Sequence, residues 1–453
     1  MNMKTITRKS MLSLILCLLL ALVPVSALQA ENQSVSTHAR AAALIDVTSG
    51  RLLYSSRGDE PMLIASLTKI MTAIVAIENG DITSKVKVGK NAYAKEGSSL
   101  YLKLGEEMTL GDMLYGLMLR SGNDAATAIA EHVGGSEQGF VYLMNAKAQE
   151  LNLKNTHFAN PHGLDAEGHY SSANDLAVLT AYALHNPVFK EIVATKEKTA
   201  DNPYEKWDYK WSNKNKMLRL YEGADGVKTG YTKKALRCLV SSATRNGQQL
   251  VAVTLNDGND WNDHAALLDF GFNHYPLKTL VERGEAVKGY GLVTGKTFAY
   301  PLGQGEEERL VNKLVLTNGQ SAAGTEAGSR GSEGASAGAG AGASARTGAG
   351  SGEGASTSAG LDSAGAGRAE ARAAAGDLSF GLRGVIILQL GGQEIGRVPV
   401  YTSGQLPPET PAYERKYSSE SASASAYPAG NWLQAFGSAL RALFQSVTDR
   451  GAA

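Results

Sequence analysis

Ser66 and Lys69 stand three residues apart in the run Ile64-Ala-Ser-Leu-Thr-Lys-Ile-Met-Thr-Ala-Ile-Val-Ala-Ile-Glu78. On a helix that spacing places a hydroxyl and an amine one turn apart on the same face, where they can act as nucleophile and base. Two further polar groups follow: Ser121-Gly122-Asn123, then Lys228-Thr229-Gly230. Singly each is weak, because a Ser-x-x-Lys arises by chance about once in a chain of this size. Ser84-x-x-Lys87 and Ser172-x-Asn174 repeat the letters, but the first has no apolar helix behind it and the second sits at a helix start after a Pro-Gly loop. Order and setting distinguish the trio: a helix start, a helix-to-helix turn, then a strand.

The elements that would position these groups are legible from periodicity. Apolar residues at 64, 67, 70, 71, 74, 75 and 77 predict a helix buried along most of its length, with Ser66 as N-cap or first-turn residue and Gly80 as its stop. Taken alone, that stretch also fits a capped core helix with a snorkelling lysine. Residues 41–47 and 51–55 predict a hairpin, and Lys85 to Val88 a short exposed strand. Thr109 to Asp112 resembles a capping box that starts a helix ending near Arg120. Asp124 is expected to cap the next helix, 125–133, which Gly134-Gly135 terminates; Ser136 opens another, to about Leu151. After the turn-rich loop 158–172 a helix resumes from Asn174 to Leu184. Residues 226–231 read as a strand, and 238–244 and 249–255 as a hairpin about Asn246-Gly247. A helix from Asp263 to His274 closes a domain of about 38–277. Strands at both ends with helices between them predict an α+β fold with an antiparallel sheet built from the two ends.

Beyond 277 short β signals at 287–291, 296–300, 310–316, 384–390 and 396–401 predict a small all-β domain, 278–401. A tract at 319–376, nearly all Gly, Ala, Ser and scattered charge, interrupts it; its composition predicts a disordered insertion. A linker, 402–426, precedes residues 427–449, where Trp432, Leu433, Phe436, Leu440, Leu443, Phe444 and Val447 share one helical face. That amphipathic helix is expected on a membrane surface, with docking on the protein's own body as the alternative.

Residues 1–30 carry Lys4, Arg8 and Lys9 before the apolar run 11–23 and small residues near 24–30, the pattern of a secretory signal peptide. The protein is therefore expected at the extracytoplasmic face of the cell membrane, at the cell surface or in a periplasm. With 44 basic and 44 acidic residues, the charge balance gives no reason to expect nucleic acid. Cys17 would leave with the signal, so Cys238 has no disulfide partner and reads as a small buried strand residue. His162, Asp165, Glu167 and His169 lack the spacing of a zinc site, and no metal or cofactor is expected.

The ordered trio resembles the penicillin-recognising serine enzymes. Within them the chain is similar to the low-molecular-mass penicillin-binding proteins that act as D-alanyl-D-alanine carboxypeptidases. Gly122, the Asn160-Pro-His-Gly-Leu-Asp165 loop, Asp225 to Gly230, the β domain and the terminal amphipathic helix carry that resemblance, which covers about 38–401 apart from the insertion. Tyr231 is a variable point, where several members have His. The resemblance implies a β-lactamase/transpeptidase-like catalytic domain and no cofactor. It implies Ser66 as nucleophile, Lys69 as its base and Ser121 as proton relay to the departing D-alanine. Asn123 would fix Lys69 and the substrate amide, and Lys228 and Thr229 would hold the terminal carboxylate. Gly230 would let the substrate lie along the strand, and the backbone amides of Ser66 and Tyr231 would form the oxyanion hole. The implied partners are peptidoglycan stem peptides ending in D-Ala-D-Ala and β-lactam antibiotics. An inactive cell-wall-binding scaffold, a DD-endopeptidase and a β-lactamase using Glu167 are the competing readings.

Overall fold

The computed structural model describes residues 35–317 and 381–408. β1 (Ala41–Asp46) and β2 (Leu52–Ser56) form an antiparallel hairpin. A 3-10 turn, Ala65–Thr68, leads into α1 (Lys69–Asn79), buried from Lys69 to Ala76. Gly80 ends α1 in extended rather than left-handed backbone. A Cβ at Gly80 would stand 2.7 Å from a Leu110 methyl, so close packing, not φ, requires glycine there.

β3 (Lys85–Lys87) pairs with β4 (Glu107–Thr109), a strand too short to have its own periodicity. Thr109 caps α2 (Leu110–Tyr115), its hydroxyl accepting from the Asp112 amide. A π-type turn, Gly116–Arg120, delivers Ser121 at φ 66°. Next come α3 (Asn123–Gly134), then α4 (Glu137–Glu150) and α5 (Ala173–Leu184), capped by the Ser136 and Ser172 hydroxyls. α6 (Pro187–Ala194), β5 (Glu197–Ala200), β6 (Tyr209–Ser212) and α7 (Met217–Leu220) occupy a stretch for which no element is expected above. β7 (Ala224–Thr232), β8 (Leu236–Arg245), β9 (Gln248–Leu255) and α8 (Asp260–His274) follow.

The main sheet is antiparallel in the order β2-β1-β9-β8-β7, so Ala43 pairs with Val253 across the two ends of this body. Both its faces are apolar. Ala41, Ala43, Ile45, Val240, Val251 and Val253 pack toward α1 and the other helices, while Ala42, Leu44, Leu239 and Leu250 meet Leu267 and Leu268 of α8. Burial on both faces explains why these strands read as nearly continuous apolar runs.

β10 (Leu277–Val281), β11 (Ala286–Val287), β12 (Leu292–Thr294), β13 (Phe298–Pro301), β14 (Leu310–Leu316), β15 (Leu382–Leu390) and β16 (Gln393–Thr402) complete the described chain. A five-stranded sheet has the order β11-β12-β16-β15-β14, and β10 pairs with β13. The strand expected at 287–291 is corrected to two short strands about a turn, because Gly289 and Gly291 adopt φ of 83° and 57°. Arg51, in the turn between β1 and β2, ties the main sheet to the β10–β13 pair: its guanidinium donates to both carboxylate oxygens of Glu306, at 2.7 Å each, and to the Pro301 carbonyl of β13. Residues 1–34, 318–380 and 409–453 lie outside the described residues, and with them the expected signal, insertion and amphipathic helix. Among the described residues no helix is long and apolar enough to cross a membrane.

Candidate active site

Of the two places expected for Ser66, N-cap of α1 or first turn, it takes the turn. It lies in the preceding 3-10 turn, because Ala65 takes φ 47° and turns the chain before the α-helix begins at Lys69. Its hydroxyl is thereby left for Lys69, whose Nζ stands 3.2 Å from Ser66 Oγ, 2.7 Å from Asn123 Oδ1 and 2.5 Å from the His162 carbonyl. The two carbonyl-type oxygens can only accept, so an uncharged amine spends its two protons on them. Its lone pair is then left facing the Ser66 hydroxyl.

The charge state of Lys69 follows from its surroundings. Lys69 is wholly buried, and its pKa is lowered well below the ordinary lysine value, first by desolvation, then by the neighbouring Lys228 and Lys214 ammonium groups. Lys228, 1% exposed on β7, is lowered to about 7, again by burial first and Lys214 second; it donates to the Thr229 carbonyl at 2.7 Å. Lys214 escaped the sequence reading, since it lies in Asn213-Lys-Asn-Lys216, which has no apolar period. It donates to Ser98 Oγ at 3.2 Å.

Asp124 is corrected from a helix cap to a loop holder. Gly122 is the N-cap of α3, and the Asp124 carboxylate accepts from the Leu100 and Leu102 amides and the Ser99 hydroxyl. The segment ahead of it reaches the site: the Glu96 carbonyl accepts from Asn123 Nδ2 at 2.6 Å. Asn123 thus holds Lys69 through Oδ1 and keeps one N–H beyond that bond. Ser121, 4% exposed, sits between the π-type turn and α3, and β7 packs against both turns that carry the serines.

β7 brings the third group alongside. A Cβ on Gly230 would stand 3.1 Å from the Ser66 amide nitrogen and 3.2 Å from the Ile64 carbonyl oxygen, so glycine lets the strand lie this close without displacing the Ser66 turn. Tyr231, 63% exposed, follows at the open end, and Thr232 donates to Asp165 at 2.9 Å, tying the strand to the 158–172 loop. Glu167 is exposed on that loop. Among the described residues no group of His, Cys, Asp and Glu is set to hold a metal. A polar cavity of about 490 Å³ lined by Asn91, Lys95, Glu131 and Glu137 holds none of the trio.

The loop contributes groups that the sequence alone does not single out. Gly163, at φ 87°, packs on the Ala65 carbonyl so tightly that a Cβ would fall 1.9 Å from its oxygen. Gly163→Ala is therefore expected to lower stability by about 3 kcal/mol and penicillin acylation by about 100-fold, because neither the left-handed backbone nor the carbonyl can yield cheaply. Thermal unfolding and the rate of penicillin labelling check it.

The sequence matches the D-alanyl-D-alanine carboxypeptidase family, Peptidase_S11, over residues 27–259. It is 38% identical over 275 residues to the D-alanyl-D-alanine carboxypeptidase DacF of Bacillus subtilis, an alignment covering 58% of this chain and 70% of that one. To DacC of Escherichia coli it is 37% identical over 265 residues, covering 55% and 65%. The fold superposes on the crystal structure of a D-alanyl-D-alanine carboxypeptidase from Mycobacterium tuberculosis with a TM-score of 0.51 at 33% identity, covering 53% of this chain and 93% of that one. For the Streptomyces K15 DD-transpeptidase the TM-score is 0.50 at 32% identity, with coverage of 52% and 98%.

Proposed function

The chain belongs to the D-alanyl-D-alanine carboxypeptidase family, and on that premise we propose that it removes the terminal D-alanine of peptidoglycan stem peptides through an acyl-enzyme on Ser66. The observation that carries the assignment to Ser66 is the position of Lys69 Nζ, fixed by Asn123 Oδ1 and the His162 carbonyl with its third direction on Ser66 Oγ. As Ser66 Oγ bonds to the penultimate D-alanine carbonyl carbon, its proton passes to Lys69. Negative charge gathers on the carbonyl oxygen, beside the Ser66 and Tyr231 amides. The C–N bond then breaks as Ser121 hands its proton to the departing amine and takes in return the one that Lys69 received from Ser66. Water cleaves the ester and frees Ser66.

Burial of Lys228 beside Lys214, with no carboxylate among the groups that act on it, suits an anionic substrate, since its ammonium form gains a counter-charge only when the substrate binds. Lys228 and Thr229 are assigned to the free terminal carboxylate, and Gly230 and Tyr231 to the peptide backbone laid along β7. Penicillins enter by the same route, leaving a long-lived acyl-enzyme. Export directed by residues 1–30 and attachment to a membrane surface through 427–449 complete the proposal, both on sequence pattern.

Incubated with a pentapeptide ending in D-Ala-D-Ala, the protein is expected to release D-alanine, and at least about 100-fold more slowly from the C-terminal amide. No release from the free acid overturns the reading. Equal release from both would favour an endopeptidase.

A further inference from the structure

We propose that Thr68 and His169 are positioning residues for the oxyanion hole, acting through the peptide group that joins Ala65 to Ser66. The proposal rests on the assignment of the Ser66 amide as an oxyanion donor. In a trans peptide the carbonyl and the N–H point in opposite directions within one plane, so whatever fixes the Ala65 oxygen also aims the Ser66 N–H.

Three hydrogen bonds in series fix that oxygen. The Thr68 hydroxyl donates to the Ala65 carbonyl at 2.8 Å, and His169 Nε2 lies 2.7 Å from the same hydroxyl. His169 Nδ1 accepts from the Ala159 amide at 3.1 Å. An amide nitrogen can only donate, so Nδ1 carries no proton and the neutral ring bears its proton on Nε2. Every bond then runs one way: Ala159 N–H to His169, His169 to Thr68, Thr68 to Ala65. Bonds aligned in this way polarise one another, and the last draws electron density toward the Ala65 oxygen, making the Ser66 N–H a stronger donor.

The surroundings fit this use. Ala65, Thr68 and His169 are 1%, 0% and 2% exposed, so water does not compete. Gly163 closes on the Ala65 oxygen and Gly230 on the Ser66 nitrogen, leaving the peptide little room to tilt. Ala65 holds a left-handed φ that a non-glycine residue adopts only when neighbours impose it. The His169 ring meets Phe158 edge-on, and the titratable groups around it are His157, His162, Asp165 and Lys69. Burial holds its pKa at about 4, so the required neutral tautomer persists through the physiological range.

The test measures benzylpenicillin acylation and pentapeptide turnover for the full chain with Thr68→Val, Thr68→Ser, His169→Ala and the Val/Ala double variant. Thr68→Val and His169→Ala are each expected to slow acylation about 10-fold and lower kcat with KM within about threefold. The double variant should be no slower than the worse single one, because either change breaks the same chain. Thr68→Ser, which keeps the hydroxyl, should stay within about threefold of the unmodified protein. Thr68→Val is nearly isosteric and keeps the test open where His169→Ala does not fold. Acylation by Thr68→Val at the unmodified rate, or multiplied losses in the double variant, overturns the proposal. If the unmodified protein takes no penicillin at all, the acyl-enzyme reading itself has failed.

Discussion

Ser66→Ala is expected to abolish covalent labelling by penicillin and to lower D-alanine release by about 10⁴-fold or more, while Lys69→Arg lowers both by about 10³-fold. The two losses have different origins. Alanine removes the atom that forms the ester. Arginine keeps an extended nitrogen-bearing side chain, but a guanidinium cannot give up its proton in a protein and so cannot serve as base. Lys69 is poised for that role because burial, Lys228 and Lys214 all disfavour its charged form. Ser66→Ala removes a single oxygen from a half-exposed residue, so unfolding should move by no more than about 0.5 kcal/mol. Lys69→Arg places an obligate charge in a fully buried site and is expected to destabilise as well. Labelling by fluorescent penicillin, read beside thermal unfolding, separates the chemical effect from the structural one. Undiminished label on Ser66→Ala would take the nucleophile away from Ser66 and point to Ser121.

What the sequence makes legible is what depends on short-range pattern. Ser66 and Lys69 are found by their spacing, and the 238–255 hairpin by its Asn-Gly turn; burial on two faces makes β8 and β9 read as apolar runs. The α+β architecture and the family follow from these. Groups joined only in three dimensions leave no such trace. The carbonyl of His162 has no side-chain identity to read, and it becomes a partner of Lys69 only because the loop folds under α1. Ala65 gives no warning that it will take a positive φ, since glycine is the residue that ordinarily signals one. Asp124 looks like a cap by position, yet Gly122 takes that place and leaves the carboxylate for the loop at 98–102. Within 185–225, α6 does carry a signal that the sequence reading passes over, with Asn186 as cap, Pro187 at its first position and Phe189, Ile192 and Val193 buried, whereas β5, β6 and α7 have four residues each, too few for a period.

The second large effect is on stability in acid. His162, His169 and His264 are 4%, 2% and 0% exposed, and burial lowers their pKa values to about 3, about 4 and about 3. In the unfolded chain each titrates near 6.5. Between that value and the folded ones the unfolded state binds more protons, so stability rises with pH and is lost as pH falls through this window. At pH 5 each histidine favours unfolding by about 2 kcal/mol, and the three together by about 6 kcal/mol, much of the margin of an ordinary domain. Asp175 and Asp257, whose pKa values burial raises, act in the opposite sense, but only where carboxylates begin to protonate. His264 isolates the effect, because it projects from α8 onto Ser241 of β8 and Thr254 of β9, apart from the catalytic groups. Urea unfolding at pH 7.5 and pH 5 should therefore reveal a loss of several kcal/mol in the unmodified protein, and a loss smaller by about one third in His264→Gln. A loss under about 1 kcal/mol in the unmodified protein would mean that these rings meet water or a counter-charge in the folded state, and with it the neutral His169 that aligns the Ser66 amide would lose its basis.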